Sequence, residues 1–304
     1  MKSVRVSAYA KVNLRLDVLG RRADGYHELR TIFQAISLHD TLELQTKREP
    51  GIDLRVAGNI QLAGEPGQDN LVSRAILELG RELGIQQGVR ALLTKRIPVG
   101  RGLGGGSSDA AAALRGYLRL IRRTIPAPRL IEIAASLGAD VPFFLFGGRA
   151  LGIGRGDEIY PLPDIPKLTL LVVSPKNIHV PTPDAYRWLK APALTKARAT
   201  PKLWKFCALC WSLPAAAGAS ESGLSNDFEK PVFQRHPRLA QIKRALLQRG
   251  AAEASLAGSG SAVFGVFPSP AMARRAAVGF QDEHTFVCET ISRDRYLRKV
   301  QSAP

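Results

Sequence analysis

A run of glycines set between a strand and a helix constrains this chain more than any other feature. Residues Pro98, Val99, Gly100, Arg101, Gly102, Leu103, Gly104, Gly105, Gly106, Ser107 and Ser108 lead straight into the alanine-rich stretch from Asp109 to Leu120. Five glycines between positions 100 and 106 let the backbone turn tightly and let another group approach with no Cβ in the way. The stretch from Val89 to Ile97 reads as a strand before the loop, and the propensities of Ala110 to Leu120 predict a helix after it. The unpaired N–H groups and positive dipole end of that helix then point at the loop, an arrangement that holds an anion.

Spacing excludes two familiar versions of such a loop. No Lys follows the glycines as in a Walker loop, and no acidic residue stands at the distance, after a second strand, that a dinucleotide fingerprint needs. A flexible Gly/Ser linker is the remaining reading, but linkers are seldom placed between a strand and a long apolar-faced helix. The loop is therefore expected to hold the phosphates of a nucleotide.

With 304 residues, 45% of them hydrophobic, the chain can build sizeable cores and is expected to form two lobes, 1–160 and 161–304. Pro161, Pro163 and Pro166 mark the break. The net charge of +17 invites a nucleic-acid reading, yet the basic residues are scattered and no aromatic-interleaved basic module or zinc-finger spacing occurs. Six Lys or Arg and no acid lie between Tyr186 and Ser220, a solvated face or a basic rim. Three cysteines argue for a reducing compartment, and Cys207 and Cys210 read as core packing on one helix face. The N-terminus lacks a long apolar segment, and no run reaches 18 apolar residues. A cytoplasmic protein with a small-molecule substrate is expected, without nucleic-acid, membrane or obligate protein partners.

Alternation at Val4 to Tyr9, Val12 to Leu19, Leu29 to Ile36 and Thr41 to Gln45 reads as four strands, with a hairpin-type turn at Arg22 to Tyr26. Asp69 or Asn70 caps a helix that starts near Leu71. Pro128 to Leu137 is a further helix, stopped by Gly138, and Gly138 to Phe144 turns into a buried apolar stretch. Gly154 to Asp157 joins a hairpin, and Leu168 to Val173 is a buried strand. A second glycine element, Ala257 to Ser261, turns into the alternating stretch Ala262 to Phe267. The pattern alone gives an α+β fold in two lobes.

Taken together, Ala10-Lys11-Val12-Asn13-Leu14, the loop from Pro98 to Ser108, and Ala257 to Ser261 resemble the three motifs of the GHMP kinases, over nearly the whole chain. Arg22-Ala23-Asp24-Gly25-Tyr26-His27, Asp69-Asn70-Leu71, Gly138 to Pro142, Pro181-Thr182-Pro183 and Ser225 to Glu229 are similar to the branch of that family in the methylerythritol phosphate route to isoprenoids. Its substrate is 4-diphosphocytidyl-2-C-methyl-D-erythritol. The resemblance implies a first lobe like ribosomal protein S5 domain 2 and a ferredoxin-like second lobe.

It also implies the site. Lys11 and Asp140 would be the catalytic pair, Asp140 facing the C2 hydroxyl of the acceptor and Lys11 bridging toward the γ-phosphate of ATP. The ATP phosphates would lie on residues 98 to 108, with Ser108 meeting Mg²⁺ and no metal ligand identified firmly. Asn70 and Lys95 would border the adenine. Tyr26 would stack on the cytosine and His27 read its edge, with Tyr186 as the facing aromatic. Asn13 and Thr182 would contact the substrate, and Gly258, Ser259 and Gly260 would close over the phosphates from the second lobe. Phosphoryl transfer asks mainly for positioning and compensating charge, which these residue types supply. Another GHMP kinase, a regulator that has lost catalysis, and a charge-driven nucleic-acid binder are the competing readings.

Overall fold

The computed structural model describes residues 2–58, 70–196 and 223–301. Two strands longer than the alternation suggested build the first lobe: β1, Ser3–Arg21, and β2, His27–Lys47, paired antiparallel along their whole length. The four short strands expected there are these two. Register shifts at Tyr9/Lys11, Asn13/Arg15 and Val18/Gly20 break the alternation without breaking the strand, as bulges do. The turn between them is where it was expected, closed by the Arg22 N–H donating to the Tyr26 carbonyl, with Gly25 at φ +86°.

Two strands share the other edge of β2 in succession. Its C-terminal half pairs with β4, Gly88–Lys95, which is flanked in parallel by β3, Ile52–Gly58. Its N-terminal half pairs with β5, Arg149–Gly154, and β5 with β6, Glu158–Pro161. One face of this sheet is covered by α1, Leu71–Leu83, α2, Gly105–Ile121, and α3, Ala127–Leu137. Val6, Leu42, Leu44, Leu79, Leu93, Leu114 and Tyr117 fill the layer between them. The apolar stretch after Gly138 forms a short helix, α4, Phe143–Phe146.

The second lobe starts with β7, Thr169–Ser174, and continues through α5, Thr182–Leu189, and the two-residue β8, Ser225–Asn226. Helices α6, Glu229–Arg235, and α7, Pro237–Gln248, follow, then β9, Glu253–Leu256, β10, Val263–Phe267, α8, Pro270–Ala277, and β11, His284–Glu289. Its antiparallel sheet runs β11-β7-β10-β9. Numbered within the lobe this is 4-1-3-2, the ferredoxin-like order expected. Side chains of β7 alternate between faces: Leu171 and Val173 pack on the helices, while Leu170 and Val172 pack against Val12, Ile32 and Ile36 of the first lobe.

Strand β1 therefore runs through all three apolar clusters and joins the lobes, and β8 pairs with it in parallel. The last helix, α9, Arg293–Gln301, returns to the first lobe, where Tyr296 is buried and donates its hydroxyl to the Phe144 carbonyl at 2.7 Å. Trp188 packs in the second lobe with the Arg235 guanidinium 5.0 Å from its ring. Asp69, Cys207, Cys210 and the basic segment beyond residue 196 lie outside the described residues. Among the described residues no helix is long and apolar enough to cross a membrane.

Candidate active site

The glycine loop joins β4 to α2 as the sequence predicts, and α2 begins inside it. Gly104, at φ +71°, is the residue before the helix, and the first helical bond runs from the Ser108 N–H to the Gly104 carbonyl at 2.9 Å. The N–H groups of Gly105, Gly106 and Ser107 consequently have no carbonyl of the helix to meet, and stand at its positive end. Pro98 to Gly102 and Gly104 to Ser107 line a cleft of about 900 Å³ between the lobes. Two members of the expected set face inward instead. Leu103 is buried, its carbonyl accepting from the Lys11 N–H at 3.0 Å, and the Ser108 hydroxyl is buried with no partner among the described residues. Ser107 thus takes the place in the cleft expected of Ser108, because Ser108 lies on the side of α2 that packs inward.

Lys11 and Asp140 meet across this cleft. Lys11 sits between two bulges of β1, and Asp140 in the turn between α3 and α4, where the Val141 N–H donates to the Gly138 carbonyl. The ammonium lies 3.3 Å from Asp140 Oδ2, with Lys11 almost wholly buried and Asp140 one-third exposed. Lys11 also donates to Asn13 Oδ1 at 2.8 Å, and Asn13 Nδ2 to Thr31 Oγ1 at 2.7 Å. A Cβ on Gly258 would come within 3.3 Å of the ammonium, so the expected pair stands where the glycine loop and the second-lobe turn converge.

Lys95 and Asn70, both expected to border the adenine, make their contacts within the protein, and for Asn70 that contact is the helix cap also expected of it. Lys95 is buried and does not line the cleft; its ammonium bridges Asp40 and Asp109, the latter at 2.6 Å. Asp40 further accepts the N–H groups of Arg96 and Ile97. The triad therefore fastens both ends of the glycine loop, one through β4 and the other through the first turns of α2. Asn70 Oδ1 accepts the Val72 N–H at 2.9 Å and caps α1.

Burial is the main cause that pushes the Asp109 carboxyl up to about 8, with the Asp40 charge adding to it and Lys95 opposing. A neutral Asp109 leaves one cation facing one anion. The folded state holds this proton more tightly than the unfolded chain, whose carboxyl titrates at 3.8, so the stability it contributes is complete below that pH and is lost as pH rises through about 8. Asp109→Asn carries a neutral amide throughout and is expected to flatten this part of the decline. Urea midpoints measured from about pH 5 to about pH 9 test it; an identical slope in both proteins would mean that Asp109 is already ionised at the acid end.

The second lobe reaches the loop through backbone contact. At Gly102, φ +78°, a Cβ would overlap the Ala257 carbonyl oxygen. Asn226 Nδ2 donates to the carbonyls of Leu256 and Gly258 at 2.9 and 2.8 Å, and the hydroxyls of Thr182 and Ser259 lie 3.0 Å apart. Gly258 and Ser259 line the cleft, whereas Gly260 is part of the turn behind them. Arg101 donates to Ser261 Oγ at 2.9 Å and to the Lys176 carbonyl at 3.2 Å, tying the loop to the second lobe.

At the other end of the cleft stand Tyr26, His27 and Tyr186. Tyr26 is half-exposed at the hairpin tip. Tyr186 is paired with His27, ring centroids 4.6 Å apart and nearly parallel, and meets Phe228 edge-on. Burial, then the Arg21 charge, holds the His27 pKa below its ordinary value, and burial raises that of Tyr186. Arg155 was not anticipated: its guanidinium lies 5.0 Å from the Tyr26 ring, held by Asp157. Thr31 was missed as well, since a lone threonine in a strand carries no motif.

Known proteins resemble this chain over nearly its whole length. The family model for the GHMP kinases N terminal domain matches residues 70–148, and that for the GHMP kinases C terminal matches residues 212–283. A 4-diphosphocytidyl-2-C-methyl-D-erythritol kinase from Solibacter usitatus is 45% identical over 300 residues, 97% of this chain and 91% of that protein. A crystal structure of 4-(cytidine 5'-diphospho)-2C-methyl-D-erythritol kinase superposes with a TM-score of 0.77 at 35% identity, covering 94% of this chain and 99% of that one. A homoserine kinase from Cytophaga hutchinsonii shares the fold, with a TM-score of 0.75 at 20% identity, over 97% of this chain and 96% of its own. On these grounds the chain belongs to the GHMP kinases, in their 4-diphosphocytidyl-2-C-methyl-D-erythritol kinase branch.

Proposed function

We propose that this chain transfers the γ-phosphoryl group of ATP to the C2 hydroxyl of 4-diphosphocytidyl-2-C-methyl-D-erythritol, in isopentenyl diphosphate biosynthesis. The observation that carries this reading is the Lys11–Asp140 pair, 3.3 Å apart and facing the free N–H groups of Gly105, Gly106 and Ser107 in one cleft. Those N–H groups hold the phosphates, with Gly258 and Ser259 closing from the second lobe. Lys11 offsets charge on the transferred phosphoryl group, and Asp140 aligns the acceptor hydroxyl and takes its proton late in transfer. Residues 1–160 supply the nucleotide loop and 161–304 the closing turn, with α9 packed on the first lobe.

The acceptor's cytidine fits the end of the cleft at Tyr26, His27 and Tyr186. A neutral imidazole both donates and accepts, as reading a base edge requires. Asn13 and Thr182 border the methylerythritol. Among the described residues no group of three or more His, Cys, Asp or Glu converges. Mg²⁺ carried by the ATP phosphates needs one or two protein oxygens, which Ser107 and Asp140, both lining the cleft, would supply. The ion would shield phosphate charge during transfer. ATP use and a cysteine-poor chain support a cytoplasmic setting.

ADP release with Mg·ATP, measured against the cytidyl acceptor, mevalonate, homoserine and galactose, tests the reading. Turnover is expected with the cytidyl acceptor alone and is lost in Lys11→Ala. Turnover with another acceptor would move the chain elsewhere in the family, and ATP binding without any turnover would make it a nucleotide-binding regulator.

A further inference from the structure

The geometry points to Thr31 as the positioning residue that sets the orientation of the Asn13 amide and, through it, holds the Lys11 ammonium in place for phosphoryl transfer. The inference rests on the kinase reading above and extends it to a residue outside the family's three motifs.

The argument is one of hydrogen-bond polarity. A lysine ammonium has three donors and no acceptor, so the Asn13 atom 2.8 Å from Lys11 Nζ must be the amide oxygen. The amide nitrogen then faces Thr31 Oγ1 at 2.7 Å and donates to it. Thr31 has a single hydroxyl proton, and this is given to the Arg15 carbonyl at 2.8 Å. Its oxygen is left with lone pairs only toward Asn13. Every contact in the relay from Arg15 through Thr31 and Asn13 to Lys11 therefore has one permitted direction.

A rotated Asn13 amide would set its NH₂ group against the Lys11 ammonium and its oxygen against the Thr31 oxygen. Both contacts are repulsive, and all three side chains are buried, where water does not repair a mismatch. Thr31 thus locks the amide from one side while Lys11 locks it from the other. One Lys11 N–H is directed to Asn13 and one to Asp140 at 3.3 Å, which leaves the third for the transferred phosphoryl group. Without the Thr31 hydroxyl, the amide has no acceptor for its buried N–H and the ammonium loses a fixed partner.

Fixing a group that acts on the transition state changes kcat more than ground-state affinity. Thr31→Val, which keeps the shape and removes the hydroxyl, is expected to lower kcat by about tenfold to a hundredfold with KM for ATP and acceptor nearly unchanged. Thr31→Ser restores the hydroxyl and is expected to recover most of the rate. A Thr31→Val enzyme with the wild-type kcat would overturn the inference, as would a Thr31→Ser enzyme as slow as the valine variant, which would assign the effect to packing. Should Thr31→Val fail to fold, Thr31→Ala against Thr31→Ser asks the same question. Absence of turnover in the wild-type protein would overturn the kinase reading instead. The relay is then judged from crystal structures of the variant and wild type: Lys11 displaced from Asp140 supports it, and unchanged Lys11 and Asn13 refute it.

Discussion

Asp140→Asn is expected to lower kcat by about a thousandfold, within the range of about 10²–10⁴ for a positioned proton acceptor, while both substrates bind nearly as before. The amide keeps the size of the carboxylate and one oxygen toward the hydroxyl, so the acceptor still has a place to sit. It loses the charge that pairs with Lys11 at 3.3 Å and the capacity to receive a proton. In phosphoryl transfer through a loose transition state the hydroxyl proton leaves late, so the deficit should fall on the chemical step and appear in kcat. Single-turnover rates and calorimetric affinities for each substrate separate the two effects. A loss of acceptor affinity in step with the rate would make Asp140 a binding residue, and a near-normal rate would remove it from the reaction. Lys11→Ala combined with Asp140→Asn should cost little more than the worse single change, because two groups acting on one transferred phosphoryl group fail together.

The parts of this site that were legible in the sequence are those written in contiguous residues. The loop from Pro98 to Ser108 announces itself because glycine density, a preceding strand and a following helix occur side by side. The ferredoxin-like lobe follows from the family likeness, and its 4-1-3-2 strand order agrees. The Lys11–Asp140 pair was reached only through that likeness; each residue alone reads as an ordinary strand lysine or a turn aspartate. Bulges hid the continuity of β1 and β2: the register shifts at Asn13/Arg15 and Val18/Gly20 displace the pairing by one residue and that at Tyr9/Lys11 by two. Asp40, Lys95 and Asp109 are separated by 55 and 14 residues, so no local pattern joins them, and the lysine of that set read as a nucleotide contact. Ser107 and Ser108 are adjacent, and only the packing of α2 decides which of them faces the cleft.

That buried set leads to the largest expected effect on stability. Lys95→Met is expected to destabilise the fold by about 3–5 kcal/mol, the usual result of removing one partner from a buried ion pair. Methionine fills the space of the lysine stem, so the loss is electrostatic. Asp40 remains fully buried and keeps the N–H groups of Arg96 and Ile97 but has no cation opposite it. Asp109, whose carboxyl burial pushes upward, supplies no cation in either protonation state. Adding Asp40→Asn to Lys95→Met removes the stranded anion while an amide oxygen still accepts from Arg96 and Ile97. The double variant should therefore be more stable than Lys95→Met alone, a coupling that a double-mutant cycle measures by chemical denaturation. Simple addition of the two losses would mean that Lys95 acts through packing alone. If the coupling is found, the triad is an electrostatic clamp that sets the glycine loop between a fixed strand end and a fixed helix start, so that the N–H groups of Gly105, Gly106 and Ser107 are aligned before any nucleotide arrives.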